Sequence, residues 1–149
     1  MWKSYIILQI TIIALQENML KFDIEKTIKY WRDGAKYDMD TAKALYEKTR
    51  YPYALFMGHL AIEKLLKALV VKNTKKHSPY THSLDKLARK SKIDFPEEIL
   101  IKLREFMEFH FEARYPSEQK AFYKKCTLLY TKAKMSELRK TYKWLKSQL

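Results

Sequence analysis

Several polar side chains lie on or beside positions where helical periodicity calls for apolar ones, namely Asp38, His59, Glu63, Lys67 and His110. Glu63 and Lys67 stand four residues apart, in the order that favours an ion pair on a helix. Imidazoles titrate near neutral pH, so histidines beside such a pair can take part in acid–base chemistry. Two interpretations remain open, because buried polar groups must satisfy one another. They form either an internal network that fixes helix register or a polar groove that binds a ligand.

Other site chemistries lack their usual signatures in this sequence. The histidines His59, His77, His82 and His110 form no compact metal-ligand spacing, so we expect no metal site. Neither a Gly-rich phosphate loop nor a Gly-x-Ser-x-Gly elbow occurs, and we expect no cofactor. Cys126 is the single cysteine, which excludes an internal disulfide and fits a reducing cytoplasm.

The charge balance points to a class of partner. Thirty Lys and Arg residues against seventeen Asp and Glu residues leave a formal net charge of +13. Such a field attracts phosphate-bearing partners. Many basic proteins bind no nucleic acid, so the charge alone also allows a face that is merely solvated.

The elements that must position these residues are predicted to be helices. Two glycines and four prolines are too few for the turns of a sandwich or barrel. Helical spacing of apolar residues predicts long helices over 23–48 and 53–72, and one from about 96 with a stripe reaching His110. A short helix is expected over 82–90, and the last helix starts between Ser117 and Thr127. We therefore predict an all-α, up-and-down bundle of four long helices plus one short helix.

The first nineteen residues are set apart as an apolar N-terminal extension. The apolar run from Tyr5 to Leu15 is shorter than the roughly 20 residues that span a bilayer as a helix, so no membrane span is expected. A cleaved signal peptide is disfavoured, because no small-x-small site follows the run. The segment either packs on the domain or on a partner, or it precedes a native start at Met19. A single helical domain is predicted over 20–149.

Three separate motifs resemble those of HEPN-domain proteins. Residues 61–69, Ala-Ile-Glu-Lys-Leu-Leu-Lys-Ala-Leu, are similar to the family's Ala-x-Glu-Lys-x-x-Lys-Ala helix. Residues 81–84, Thr-His-Ser-Leu, resemble its Thr-His-x-Leu entry into a short helix, and residues 113–116 its Arg-Tyr-Pro junction. In addition to these three motifs, Asp38 with Ala42 and Leu45 is similar to the Asp-x-x-x-Ala-x-x-Leu pattern of the family's first helix. The motifs occur in family order, and the resemblance covers residues 23–147.

The resemblance implies a nucleotide- or RNA-binding helical bundle, often a homodimer. The family contains partners of minimal nucleotidyltransferases in prokaryotic toxin–antitoxin pairs, and also metal-independent ribonucleases. On the first alternative, a groove is expected whose members are Glu63, Lys67, His82, Arg114, Tyr115 and Asp38. Arginine contacts phosphate, tyrosine stacks on a base, and the glutamate orients lysine or histidine. This interpretation requires Glu63 and Arg114 to share a crevice.

Two further functions stay open. The ribonuclease branch is marked by Arg, four to six residues, then His, which Arg104 and His110 satisfy but Arg114 does not. In that case His110 is the general acid/base and Arg104 stabilises the strained phosphate. The other possibility is a non-catalytic interaction scaffold with a solvated basic face.

Overall fold

In the computed structural model, which describes residues 2–19 and 21–149, every regular element within those two ranges is a helix. The α-helices in these ranges are α1 (Trp2–Met19), α2 (Ile24–Glu47), α3 (Tyr51–Thr74), α4 (Leu84–Lys90), α5 (Glu97–Phe106), α6 (Pro116–Lys125) and α7 (Leu128–Ser147). Two 3-10 turns, Met107–Phe109 and Phe111–Ala113, lie between α5 and α6. The predicted all-α class is confirmed.

Helices α2 and α3 form an antiparallel hairpin. α2 begins where the Asp23 carboxylate accepts a hydrogen bond of 2.9 Å from the backbone N–H of Lys26, satisfying a donor that the first helical turn leaves free. The turn into α3 places Thr49 in the left-handed region, with φ of 57°. Pro52 lies in the first turn of α3, where its missing N–H costs no helical hydrogen bond. Both helices follow the predicted ranges within a few residues.

Helix α3 is the central element of the bundle. Its side chains from Ala54 to Val71 are mostly buried around the whole helix, as expected for a helix packed on several sides. A Cβ added at Gly58 would lie 2.6 Å from Leu138 Cδ1, so glycine allows α7 to approach closely. Further along, Lys72 Nζ donates to the carbonyl of Gln148 at 2.8 Å. Residue numbers rise together along both helices, so α3 and α7 run in the same direction.

Helix α5 runs opposite to α7. Lys102 pairs with Glu137 at 3.4 Å and Lys134 with Glu105 at 3.1 Å, so numbers rise along one helix as they fall along the other. The principal helices α2, α3, α5 and α7 therefore alternate in direction, which confirms the up-and-down arrangement. The short helix α4 joins α3 to α5.

The structure divides the chain more finely than the sequence predicts between residues 106 and 128. The helix that we expected to reach His110 ends at Phe106, and the two 3-10 turns carry the chain onward. The last helix is interrupted at Cys126, and a new one begins where Thr127 caps the N–H of Tyr130 at 3.3 Å. Cys126 is itself buried, so the helical spacing of apolar residues continues across this break.

Helix α1 carries an apolar surface that is not covered. Trp2 is 81% exposed, and Ile7 and Ile10 are also exposed. None of the helices in the described ranges is long and apolar enough to cross a membrane. The division of the chain into an extension over 1–19 and a domain over 20–149 stays a prediction.

Candidate functional site

One face of α3 carries three polar side chains, on successive helical turns inside the bundle. His59, Glu63 and Lys67 are spaced four residues apart, so they lie one above the other on successive turns. All three are buried. His82, from the loop before α4, and His110, from between the two 3-10 turns, complete what we call the Glu63 cluster.

Glu63 is the centre of this cluster. Its Oε1 accepts a hydrogen bond of 2.7 Å from Lys67 Nζ, and its Oε2 lies 3.1 Å from His82 Nδ1 and 3.6 Å from His59 Nε2. Burial by itself raises the pKa of the Glu63 carboxyl, but the imidazole of His59, the ammonium of Lys67 and the imidazole of His82 outweigh it and lower the pKa to about 2. Glu63 is therefore a fixed anion at physiological pH.

His59 connects the cluster to the end of α5. Its Nδ1 lies 3.0 Å from the carbonyl oxygen of Phe106, which can only accept, so Nδ1 carries a proton and donates it. The other ring nitrogen faces the Glu63 carboxylate. This contact fixes where α5 ends relative to α3 and therefore where the following turns place His110.

His110 lies among aromatic rings. Its ring centroid is 4.9 Å from that of His82, 5.2 Å from that of His59 and 5.6 Å from that of Phe56, with near-parallel planes. Burial, followed by the nearby imidazoles of His59 and His82, lowers the pKa of His110 below its usual value, while Glu63 acts in the opposite direction. The neutral form of the His110 imidazole, which can accept a proton, is therefore favoured.

Two aromatic side chains border the cluster. Lys67 Nζ lies 5.0 Å from the ring centroid of Trp31, a cation–π contact that brings α2 to the site. Tyr80 is 98% exposed, and its ring centroid is 6.0 Å from that of His82. His82 is half-exposed, so the cluster reaches solvent at this side chain. The arrangement can present N–H donors to an anion and transfer a proton through an imidazole.

The predicted site residues do not all come together. Glu63, Lys67 and His82 are in contact, as the groove interpretation expects. Arg114 instead donates to the carbonyl of Met107 at 3.4 Å and lines a concavity beside Glu108, which Glu63 does not line. The crevice that Glu63 and Arg114 should share stays a prediction.

The remaining candidates have other partners. Asp38, buried on α2, pairs with Lys64 Nζ at 2.6 Å. Tyr115 is exposed at the start of α6, where its backbone N–H is bound by Glu118. Arg104 pairs with Glu97 at 3.4 Å and with Asp85 at 3.9 Å on the exposed side of α5, and no hydrogen bond or ion pair among the described residues joins it to His110.

Trp31 is a site residue that we did not single out from the sequence, and His59 was named among the polar residues on helix stripes but not assigned to the groove of Glu63, Lys67 and His82. Both fall on apolar stripes, where a core position is the usual interpretation. The signal for His59 was its place one helical turn before Glu63, which puts the two side chains on the same face. Trp31 carried no comparable signal, because its contact with Lys67 depends on how α2 packs against α3.

Comparisons with known proteins agree with the architecture. The family model described as the HEPN domain matches residues 28–147. No curated protein matches the chain. Among solved structures, the crystal structure of TT1696 from Thermus thermophilus is similar, with 18% sequence identity and a TM-score of 0.68 over 82% of this chain and 98% of that chain.

Proposed function

The chain belongs to the HEPN domain family, and from this premise we propose that it binds RNA or a nucleotide through the Glu63 cluster. The ligand's phosphate approaches at His82, the half-exposed member of the cluster. Lys67 supplies positive charge, and the imidazole rings supply N–H donors. The net charge of +13 favours an anionic ligand over long distances.

The observation that carries this proposal is the way in which Glu63 holds its partners. Its carboxylate is hydrogen-bonded to Lys67 Nζ at 2.7 Å and lies 3.1 Å from His82 Nδ1, while His59 Nε2 is 3.6 Å away. A buried carboxylate that holds Lys67 and His82 in place preorganises them, so little side-chain entropy is lost when a ligand binds. An internal network alone does not need a member as exposed as His82.

The three other residues that we predicted for the groove have different roles in this proposal. Arg114 and Tyr115 are exposed and can meet a ligand that extends beyond the cluster, with Tyr115 as a stacking surface. Asp38 is assigned a structural role instead, because it is buried and paired with Lys64.

Replacing His82 by glutamine tests the proposal. Fluorescence anisotropy of a labelled single-stranded RNA and of a labelled mononucleotide compares wild type, His82→Gln and the control Lys140→Gln, an exposed residue on α7. We expect His82→Gln to weaken binding at least tenfold, the loss of a charge-assisted hydrogen bond of about 1.5–3 kcal/mol. Equal affinities of the three proteins would contradict the proposal. Failure of wild type to bind either ligand at low or high salt would favour the scaffold.

The proposal includes two assembly states that the family resemblance implies. The chain forms a homodimer, and it pairs with a minimal nucleotidyltransferase in a toxin–antitoxin-like module. Light scattering of the purified chain tests the first state, since a monomer mass of 18.0 kDa at high concentration would contradict it. Co-expression with the product of a neighbouring nucleotidyltransferase reading frame, followed by co-purification, tests the second.

A metal-independent ribonuclease is the second candidate, favoured by the neutral state of His110. An imidazole that is unprotonated at pH 7 can accept the proton of a ribose 2′-hydroxyl. Incubation with structured and single-stranded RNA in EDTA tests this activity, with His110→Ala and Arg104→Gln as variants. Cleavage lost in both variants supports the Arg104–His110 motif. Cleavage lost only in His110→Ala assigns the chemistry to the Glu63 cluster, and no cleavage by wild type excludes the ribonuclease.

A further inference from the structure

A cationic concavity lies outside the Glu63 cluster, near the ends of α3 and α4. It is a concavity of about 380 Å³, which we call the basic cleft, and the cationic or titratable residues that line it are Lys76, His77, Arg89, Lys90 and Lys92. Its other lining residues are Val70, Thr74 and Pro79, so no carboxylate lines it. Four permanent positive charges therefore face one opening.

Most of this charge has no partner within the protein. Arg89 pairs with Asp85, but within the described ranges no ion pair involves Lys76, Lys90 or Lys92. Arg89 and Lys90 lie in the last turn of α4, where cations stabilise the negative end of the helix. Lys76 and Lys92 lie just beyond the ends of α3 and α4, and neither ammonium has a hydrogen-bond partner within the described ranges. An anionic ligand would neutralise this repulsion.

Helix α3 and the loop over 75–83 link the basic cleft to the Glu63 cluster. Glu63 and Thr74, which borders the cleft, are eleven residues apart on α3, about 16 Å at 1.5 Å per residue. The loop over 75–83 follows this path and carries the fully exposed ring of Tyr80 next to His82. An exposed aromatic ring between the proposed phosphate site at His82 and a cationic cleft is an arrangement suited to a nucleic-acid strand, whose bases stack while its backbone binds cations.

We infer that the ligand is a single-stranded RNA several nucleotides long, whose backbone passes from the Glu63 cluster over Tyr80 into the basic cleft. This inference rests on the proposed function and narrows its ligand from a nucleotide to a strand. A mononucleotide or trinucleotide occupies the Glu63 cluster alone. Only a longer strand places additional phosphates against Lys76 and Lys92.

The double variant Lys76→Gln/Lys92→Gln tests the inference, because both residues are exposed and outside helices. The control Lys132→Gln/Lys140→Gln removes the same charge from exposed positions on α7 that do not line the cleft. Binding of a labelled RNA about twelve nucleotides long is measured between 0.1 and 1 M salt. Two lost phosphate contacts reduce the salt slope by about 1.4, so a variant that matches wild type at 1 M salt should bind about 25-fold more weakly than wild type at 0.1 M.

Trinucleotide binding separates the inference from the proposed function. We expect the cleft variant to bind the trinucleotide as wild type does and to lose affinity only for the longer strand. If wild type binds RNA and the cleft variant matches the control, the inference is wrong and the proposed function stands. If wild type binds no RNA of either length, the proposed function fails and the inference with it. If the cleft variant loses binding to anionic phosphatidylserine vesicles that wild type binds, and keeps its RNA binding, the cleft is assigned to a membrane surface instead.

Discussion

Replacing Glu63 by glutamine keeps the shape of the side chain and removes the negative charge at the centre of the cluster. The pKa of the Glu63 carboxyl falls from 4.5 to about 2 on folding. At about 1.4 kcal/mol per pKa unit, this difference corresponds to about 3 kcal/mol of stability. Glutamine would also leave Lys67 buried without its counter-charge. We therefore expect Glu63→Gln to lower the free energy of unfolding at pH 7 by about 3 kcal/mol.

The pH dependence gives this prediction a second, independent part. The folded pKa lies below the unfolded one, so the unfolded chain binds the extra proton. The stabilisation is fully present above about pH 4.5 and is lost as the pH falls towards about 2. The difference in stability between wild type and Glu63→Gln should therefore narrow as the pH falls from about 4.5 to about 2, because the Glu63 carboxylate of wild type becomes protonated and loses its charge.

Urea unfolding followed by far-UV circular dichroism, at pH 7 and at several values down to pH 2.5, measures both parts. In a thermal melt at pH 7, the melting temperature of Glu63→Gln should be roughly 6–12 °C below that of wild type, at about 2–4 °C per kcal/mol for a chain of this size. Glu47→Gln, at an exposed glutamate in the last turn of α2, is the control and should change stability by less than about 0.5 kcal/mol. The double variant Glu63→Gln/Lys67→Met should recover part of the loss, because no buried charge remains unpaired. A change below about 1 kcal/mol at pH 7, or one independent of pH, would refute this reasoning.

Three other predictions concern the surroundings of the cluster and the core. His110 should titrate below pH 6.5 in a histidine NMR titration of the folded chain, because burial and two neighbouring imidazoles disfavour its charged form; a pKa above 6.5 would contradict this. Gly58→Ala should destabilise by about 1–3 kcal/mol in urea unfolding, since the new Cβ would clash with Leu138 Cδ1, and Gly58→Ala/Leu138→Val should be less destabilised than the sum of its single variants. Cys126 should react with a thiol reagent only as fast as the protein opens, because it is buried and its thiol pKa is raised to about 12; rapid labelling of the native protein would be the opposite result.

Local spacing was sufficient to predict one part of the site. Glu63 and Lys67 are one turn apart on a strongly apolar helix, so their pairing follows from helix geometry alone. The family motifs added His82, which a loop brings back against α3. The sequence could not show that His110 meets these residues, because its place depends on where α5 gives way to two 3-10 turns.

Other features of the structure could not be predicted from the sequence, each for a physical reason. Arg104 and Arg114 have long side chains on exposed positions, and spacing in sequence does not decide which neighbours such side chains meet. Asp38 was correctly expected to need a partner, but the partner, Lys64, lies on the neighbouring helix. The break at Cys126 was hidden because the residue is apolar and keeps the helical rhythm.

The imidazole resonances of the four histidines test the central claim most directly, since they report ligand binding at each ring separately. An RNA trinucleotide is titrated into the native protein at pH 7 and low salt, and the shifts of His82, His110 and His77 are followed. Binding at the Glu63 cluster predicts that His82 and His110 shift together and saturate with one dissociation constant, while His77, in the basic cleft, stays unchanged. Saturable binding that leaves His82 and His110 unmoved would contradict the account.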